Sequence, residues 1–321
     1  MAQFIKTIQN MAFQNNLWEK GSKIVVGVSG GPDSACLLDI LSKLAPKYDF
    51  KLHIAHVNYA LRGKDSIGDE LFVRQLSEKY NIPLSVHTPN KSQYKGNLEN
   101  SLRNIRYEYF ESLRKELGFD LIAVAHNQDD QAETVLMRII RGGGLNGLSA
   151  MKVKSGNLIR PLLGTSKEQI LAYNKQHKLK FRLDKSNKEE KFMRNKIRHK
   201  LIPYLEKSFN PSIKKTLGDW SIAVADDYDF IDSSAERFAL SVCKNKCAHF
   251  SAKEFLRLNI AIQRQALRII FRQIKDCKYD IESKQAEELL KVIKSTKNKS
   301  PKAQIGGLKV LKKGDNIEIF C

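Results

Sequence analysis

The sequence predicts an α/β protein: a parallel, doubly wound sheet followed by a mainly helical region that ends in a β-hairpin. Three observations carry this expectation. Short Val/Ile-rich runs alternate with helix-length segments through the first half of the chain. The first of those runs closes on glycine and serine and passes straight into a helical pattern. Beyond about residue 216 the chain reads as amphipathic helix, with one alternating stretch at its very end.

The elements follow in order. Strands are expected at 23–28, 51–57, 82–87 and 120–125, where Val, Ile and Leu cluster between Gly, Asn and Pro signals. Helices are expected between them, at 33–46, 65–80, 97–117 and 128–141. Repeated units of this length build a parallel sheet covered on both faces, and such sheets bind ligands beyond the carboxyl ends of their strands. Four glycines between Arg141 and Gly147 either end a helix or form a loop bordering a site. Segments 166–180 and 193–207 read as basic helices, and Phe255–Phe271 is the clearest amphipathic segment of the second half. Residues 304–320 read as a hairpin turning at Lys313-Gly-Asp-Asn316. Two domains are expected, 1–215 and 216–321, the first ending in a basic extension over 152–215.

Charge separates the halves. The chain of 321 residues has a net charge of +20, yet residues 1–150 hold 18 Lys and Arg against 16 Asp and Glu. Segment 152–215 alone holds 18 basic residues against 5 acidic ones. A field so concentrated attracts polyanions. No apolar run approaches the length of a membrane span, the first residues lack a signal-peptide core, and five cysteines without an even framework suit a reducing compartment. A cytoplasmic location is therefore expected.

The most informative stretch is Ser29-Gly30-Gly31-Pro32-Asp33-Ser34, directly behind the first strand. A strand turning through small residues into a helix gathers backbone N–H groups and the positive helix end at one point, which is an anion site. Ser29 and Ser34 add hydroxyls, and Asp33 beside phosphates makes sense with a divalent cation between them. An ordinary turn with Asp33 as N-cap is the simpler alternative. Neither a Walker loop nor a dinucleotide fingerprint is present. The stretch resembles the PP-loop of the N-type ATP pyrophosphatases, which split ATP between the α and β phosphates and adenylate a carbonyl oxygen.

A second constellation is His126-Asn-Gln-Asp-Asp-Gln-Ala-Glu-Thr134, which places Asp129, Asp130 and Glu133 on the first turn of a helix beside a histidine. An acidic turn complementing the helix dipole explains one of these carboxylates well and three poorly. Taken with His56-Val-Asn-Tyr-Ala-Leu-Arg62, Leu98–Tyr107, Arg141–Leu148, Arg160–Leu163, Asp184–Asn187 and Arg194–His199, the series resembles the tRNA(Ile)-lysidine synthetases over residues 23–205. Tyr59 stands where that family usually carries another histidine, and Leu102 where it carries alanine. The chain past 216 resembles the family only loosely.

The resemblance implies a PP-loop ATPase fold of the adenine nucleotide α hydrolase kind, with a helical C-terminal tRNA-binding domain. It also implies the reaction. Free L-lysine is joined to the wobble cytidine of a tRNA(Ile) with a CAU anticodon, through an adenylated cytidine, with release of AMP and pyrophosphate. No obligatory protein partner is implied. ATP is held by residues 29–34 and Mg²⁺ by Asp33 and Asp130. His126 orients a phosphate or the carbonyl, and Arg106 stabilises charge at the α-phosphate or the cytosine. Asp130 or Glu133 binds the lysine ammonium or takes its proton, and Arg103 belongs to the same substrate set. Arg194, Asn195, Arg198 and His199 grip the anticodon loop. The rival within the superfamily is a tRNA thiolation enzyme, which uses paired cysteines or an iron–sulfur cluster. Cys36 falls inside a helix, and Cys243, Cys247 and His249 form one short cluster far from the motifs.

Overall fold

A first helix, α1 (Ala2–Gln14), leads to the central strand β1 (Lys23–Gly27), and then α2 (Pro32–Tyr48), β2 (Lys51–Val57), α3 (Lys64–Tyr80) and β3 (Leu84–His87) follow in alternation. The chain returns through α4 (Leu98–Glu116) to β4 (Leu121–Ala123), α5 (Gln128–Ile140) and the short α6 (Leu145–Leu148). A small edge pair, β5 (Lys154–Ser155) and β6 (Leu158–Ile159), precedes α7 (Lys167–Gln176). The structure is a computed structural model that describes residues 2–94, 96, 98–182, 193–277, 281–295 and 302–321. It comprises two units, Met1–Ala223 and Val224–Cys321.

The first unit is built on a six-stranded sheet of order β3-β2-β1-β4-β6-β5, parallel except for the antiparallel β5–β6 pair. Side chains alternate across the sheet, so β1 serves two cores at once. Ile24 and Val26 pack with Leu37, Leu38 and Leu41 of α2, Ile8 of α1 and Ile170 of α7. Val25 points the other way and packs with Ala55, Ile122 and Phe110 of α4. Both faces are covered, which is why these strands read as continuous apolar runs. Gly27 ends β1 because a Cβ there would lie 2.6 Å from the Phe110 ring.

β1 connects to β2 and β3 on one side and pairs with β4 on the other, so strand order reverses between β1 and β4. The crevice at that reversal opens beyond the carboxyl ends of the two strands, where residues 28–34 and 124–130 leave the sheet.

The four expected strands and the helices between them are all present, with bounds shifted by at most a few residues. The glycines after α5 act as a helix terminator. Gly142 takes φ +73°, the Gly143 N–H donates back to the Arg138 carbonyl, and the Arg138 guanidinium holds the Gly147 and Ala150 carbonyls. The expected helix over 193–207 is interrupted: α8 (Met193–Lys196) passes through a π-helical turn, Ile197–Leu201, into α9 (Ile202–Ser208). The expected Asp184–Asn187 motif lies outside the described residues. A long helix, α10 (Ile213–Val242), contains both the expected domain boundary and the boundary of the two structural units.

The second unit departs most from expectation. Besides α11 (Ala252–Arg257), α12 (Ile260–Lys275) and α13 (Ser283–Lys294), it holds a five-stranded antiparallel sheet. Its strands are β7 (Cys243–Lys244), β8 (Cys247–Ser251), β9 (Lys302–Ile305), β10 (Leu308–Lys313) and β11 (Asn316–Phe320), in the order β7-β8-β11-β10-β9. The predicted hairpin is its β10–β11 pair, turning at Gly314 and Asp315. The β7–β8 hairpin escaped the sequence because Asn245 and Lys246 form its turn, with φ 49° and 59°. Lysine is an unusual occupant of a position that normally takes glycine. Among the described residues no helix is long and apolar enough to cross a membrane.

Candidate active site

The loop after β1 wraps itself around its own hydroxyls. The Ser29 N–H and the Ser34 hydroxyl meet at 3.2 Å, Ser34 Oγ donates to the Gly31 carbonyl at 3.0 Å, and Gly30 adopts φ +86°. Gly31 is the residue before α2 and caps it with no side chain, while Pro32 fills the first helical position. The N–H groups of the first turn, at Asp33 and Ser34, therefore face the crevice without intrahelical acceptors. Two donors from elsewhere pin the loop from behind: the Arg182 N–H to the Gly30 carbonyl at 2.9 Å and Asn174 Nδ2 to the Pro32 carbonyl at 2.9 Å.

A cleft of about 180 Å³ lies in front of this loop, lined also by His56 on β2, Tyr59 after it, Arg106 and Tyr107 on α4, and His126 after β4. Of the expected residues, Ser29, Gly31, Asp33, Ser34, Arg106 and His126 are thus brought together. Arg103 and Arg106 place their guanidinium groups 5.2 and 5.5 Å from the centre of the Tyr107 ring. Burial pushes the His126 imidazole far below its ordinary range, and Arg106, Arg160 and Arg103 push the same way against the Asp130 carboxylate. His126 is therefore neutral at pH 7, and its buried Nδ1 has no partner among the described residues. His56 is a second neutral ring, its pKa lowered by burial. It spends Nδ1–H on the Val28 carbonyl at 2.8 Å and leaves Nε2 buried and without a partner among the described residues. Unpaired buried polar atoms lining one cleft are what a polar ligand would satisfy.

The carboxylates are engaged in ways the sequence did not announce. Both oxygens of Asp33 accept from Lys167 Nζ, at 2.6 and 2.7 Å. Lys167 opens α7, and its backbone N–H donates to Asp129. Burial nevertheless outweighs the lysine and raises the Asp33 carboxyl above its usual range, helped by the nearby Asp130. The group is an oxygen pair already turned toward a positive charge. That suits a hard divalent cation, which takes one or two carboxylates and completes its shell with phosphate and water.

Asp130 was expected to share that cation with Asp33. In the structure one oxygen accepts the Asn127 N–H in a capping box, and the other accepts from Arg194 at 2.8 Å and Arg198 at 3.3 Å. Glu133, only 1% exposed, accepts from Arg194 Nε at 2.7 Å and from Arg198 through both Nε and NH2. Burial alone would raise the Asp130 carboxyl, but Arg194, His126 and Arg198 bring it below its usual range. Arg194 and Arg198, expected to face RNA, therefore turn inward onto the residues expected to face lysine. Asn195 is half-buried and His199 exposed on the same segment.

Other cations of the basic segment are engaged within the fold as well. Arg182 pairs with Asp69, Lys214 with Asp129, and Arg160 is 6% exposed with its guanidinium on the Lys152 carbonyl. Sequence reasoning quoted Arg160 within a motif but missed Lys167 and Arg182. Their signal was present only as the charge excess of 152–215, read as a surface when part of it neutralises the first half.

Three comparisons place the chain among known proteins. A model of the PP-loop domain matches residues 2–205. The tRNA(Ile)-lysidine synthase of Clostridium tetani is 36% identical over 301 residues, covering 92% of this chain and 64% of that protein. That of Bacillus cereus is 31% identical over 322 residues, covering 96% of this chain and 67% of that protein. The chain spans about half to two thirds of the length of the curated relatives it matches. In fold it is similar to the U34-tRNA thiolase NcsA of Methanococcus maripaludis, which carries a [4Fe-4S] cluster. The TM-score is 0.58 at 18% identity, over 70% of this chain and 79% of that one.

Proposed function

We propose, from the premise that the chain belongs to the PP-loop family and within it to the tRNA(Ile)-lysidine synthases, that it ligates free L-lysine to the wobble cytidine of a tRNA(Ile) with a CAU anticodon at the expense of ATP. The observation that carries the reading is that the Ser29–Ser34 loop and a neutral His126 with a spare ring nitrogen line one crevice, with the Asp130 carboxylate within electrostatic reach of both Asp33 and His126.

A cytosine carbonyl is a poor electrophile, so its oxygen is first adenylated and pyrophosphate leaves. The backbone N–H groups at the start of α2 receive that leaving group. Mg²⁺, when bound, neutralises charge on the phosphates, with Asp33 as its side-chain contact and Asp130 as the second carboxylate within electrostatic reach. Lys167, whose ammonium rests on both Asp33 oxygens, would add its positive charge beside the same phosphates. His126 donates or accepts one neutral hydrogen bond at the reacting phosphate or carbonyl, because it holds no proton to spare at pH 7. Arg106 lines the same cleft and stabilises the developing charge. Glu133 and Asp130, which now accept from two guanidinium groups, are assigned to the lysine ammonium, a cation of the same charge. The lysine amine loses its proton to a carboxylate of that pair and attacks C2 of the activated base, the C2–O bond to the adenylate breaks, and AMP leaves. Arg103, Asn195 and His199 are assigned to the substrates, and the exposed cations of 152–215 to the RNA backbone.

A sulfur-adding reaction fits less well. Cys36, the cysteine next to the loop, is fully buried in α2, and burial together with Asp33 and Asp39 drives its thiol well up, so no thiolate is at hand. The test is AMP formation. With ATP and Mg²⁺, AMP should appear when unmodified tRNA(Ile) and lysine are both supplied, and persulfide should not replace lysine. AMP formation that needs a sulfur donor and ignores lysine would favour the thiolation reading.

A further inference from the structure

The outward face of the second unit's sheet carries a cluster that the ligase reaction does not use. Cys247 and His249 are two residues apart on β8, so both project from one face, and Glu318 stands directly opposite His249 on β11. Cys247 Sγ lies 3.2 Å from His249 Nε2, and His249 Nε2 lies 4.0 Å from Glu318 Oε1. One ligand atom from each residue falls within 4.8 Å of the other two. Tetrahedral zinc, with bonds of about 2.0–2.3 Å, spaces its donors roughly 3.3–3.6 Å apart. The Cys247–His249 pair already lies close to that spacing and Glu318 stands somewhat beyond it, within the reach of a side-chain rotation.

We propose that Cys247, His249 and Glu318 form a zinc site with its fourth position open. The donor set is thiolate, imidazole and carboxylate, which suits zinc over the hard cations. The open position faces a groove of about 490 Å³ that His249 and Glu318 line together with Ser251, Lys313 and Asn316. Cys243, the other cysteine of the short cluster in the sequence, is not a ligand. It pairs with the fully buried Ala248 and so lies on the core face, where burial pushes its thiol up to about 11. The sheet thus replaces the donor that sequence proximity suggests with one from a strand about seventy residues away. Without a cation, burial and the Glu318 carboxylate keep the Cys247 thiol protonated. Zinc reverses that balance, and binding releases the Cys247 proton to solvent.

The test uses the whole chain, held reduced with a reductant that is not a thiol, and titrated with Co²⁺ and then Zn²⁺. One equivalent of Co²⁺ should give the near-ultraviolet band of a cobalt–thiolate bond, and one equivalent of Zn²⁺ should remove it. Cys247→Ser should abolish the band, and His249→Ala and Glu318→Gln should each weaken binding by about tenfold or more. Cys243→Ser should change nothing. Circular dichroism confirms that each variant is folded. Absence of a stoichiometric band in the unaltered chain, or a band that survives Cys247→Ser but not Cys243→Ser, overturns the proposal.

Discussion

Asp33→Asn lowers ATP-dependent lysine incorporation at least about 100-fold while the protein stays as stable as before or becomes more so. The first half of this result follows from position. Asp33 is the acidic side chain of the nucleotide loop, its two oxygens already face a cation, and asparagine offers no charge to hold one. The second half follows from its raised pKa. A carboxyl whose folded pKa exceeds its unfolded value adds stability at low pH and loses it as pH rises through the folded value. At pH 7 the ionised group is a net cost that burial imposes and Lys167 only partly offsets. Removing the charge removes the cost, so the melting temperature at pH 7 is equal or higher, and the gain shrinks on acidification. A variant that is inactive because it has unfolded would show the opposite, and a tRNA-binding assay should find its affinity for RNA intact.

Arg194→Ala produces the largest loss of stability expected from a single change in the site. Glu133 is almost wholly buried, and Arg194 holds both it and Asp130. Stripping one partner from a buried charge typically costs about 3–5 kcal/mol, with Arg198 left to retain the lower part of that range. For a unit of this size a loss near 3 kcal/mol corresponds to a fall of roughly 6–12 °C in melting temperature. Adding Glu133→Gln should recover part of it, because the double variant no longer buries an unpaired carboxylate, and the two effects should be strongly non-additive. The pH dependence has a definite sign. Asp130 is held below its usual range, so its share of the ion-pair stability is present above the ordinary carboxylate pKa and is lost as pH falls through the lowered one. The gap between Arg194→Ala and the unaltered protein is therefore widest near neutrality. An unchanged melting temperature would mean that the four-charge cluster is not the anchor of α8 and the π-helical turn. Activity adds a second readout: since Asp130 and Glu133 are assigned to the lysine ammonium, KM for lysine should shift in this variant more than KM for ATP.

Much of the fold is legible because it is local. Ile24 and Val26 against Val25 encode a strand buried on two faces, and glycine, proline and aspartate at 31–33 encode the start of α2. The same local signal located the His126 run and the hairpin at Gly314. What was not legible is the pairing of segments far apart in sequence. Nothing at Lys167 says that its ammonium will rest on Asp33, and nothing at Arg194 says that it will turn inward to Glu133 rather than outward. Both residues belong to a strongly basic segment, and a net charge does not disclose which of its members are already neutralised. The β7–β8 hairpin was hidden for a different reason. Asn245-Lys246 adopts a turn that sequence patterns assign to glycine, and the packing of β8 against β11 supplies what the turn lacks. Part of the basic half neutralises carboxylates of the first half, and its exposed remainder is the part proposed above for the RNA backbone.

The most direct measurement is mass analysis of the wobble nucleoside after incubating the chain with unmodified tRNA(Ile) bearing a CAU anticodon, isotopically labelled lysine, ATP and Mg²⁺. The predicted result is one lysine joined to the cytidine, with one AMP and one pyrophosphate formed for each lysine added. ATP cleavage with the cytidine left unchanged, or carrying sulfur in place of lysine, would contradict it.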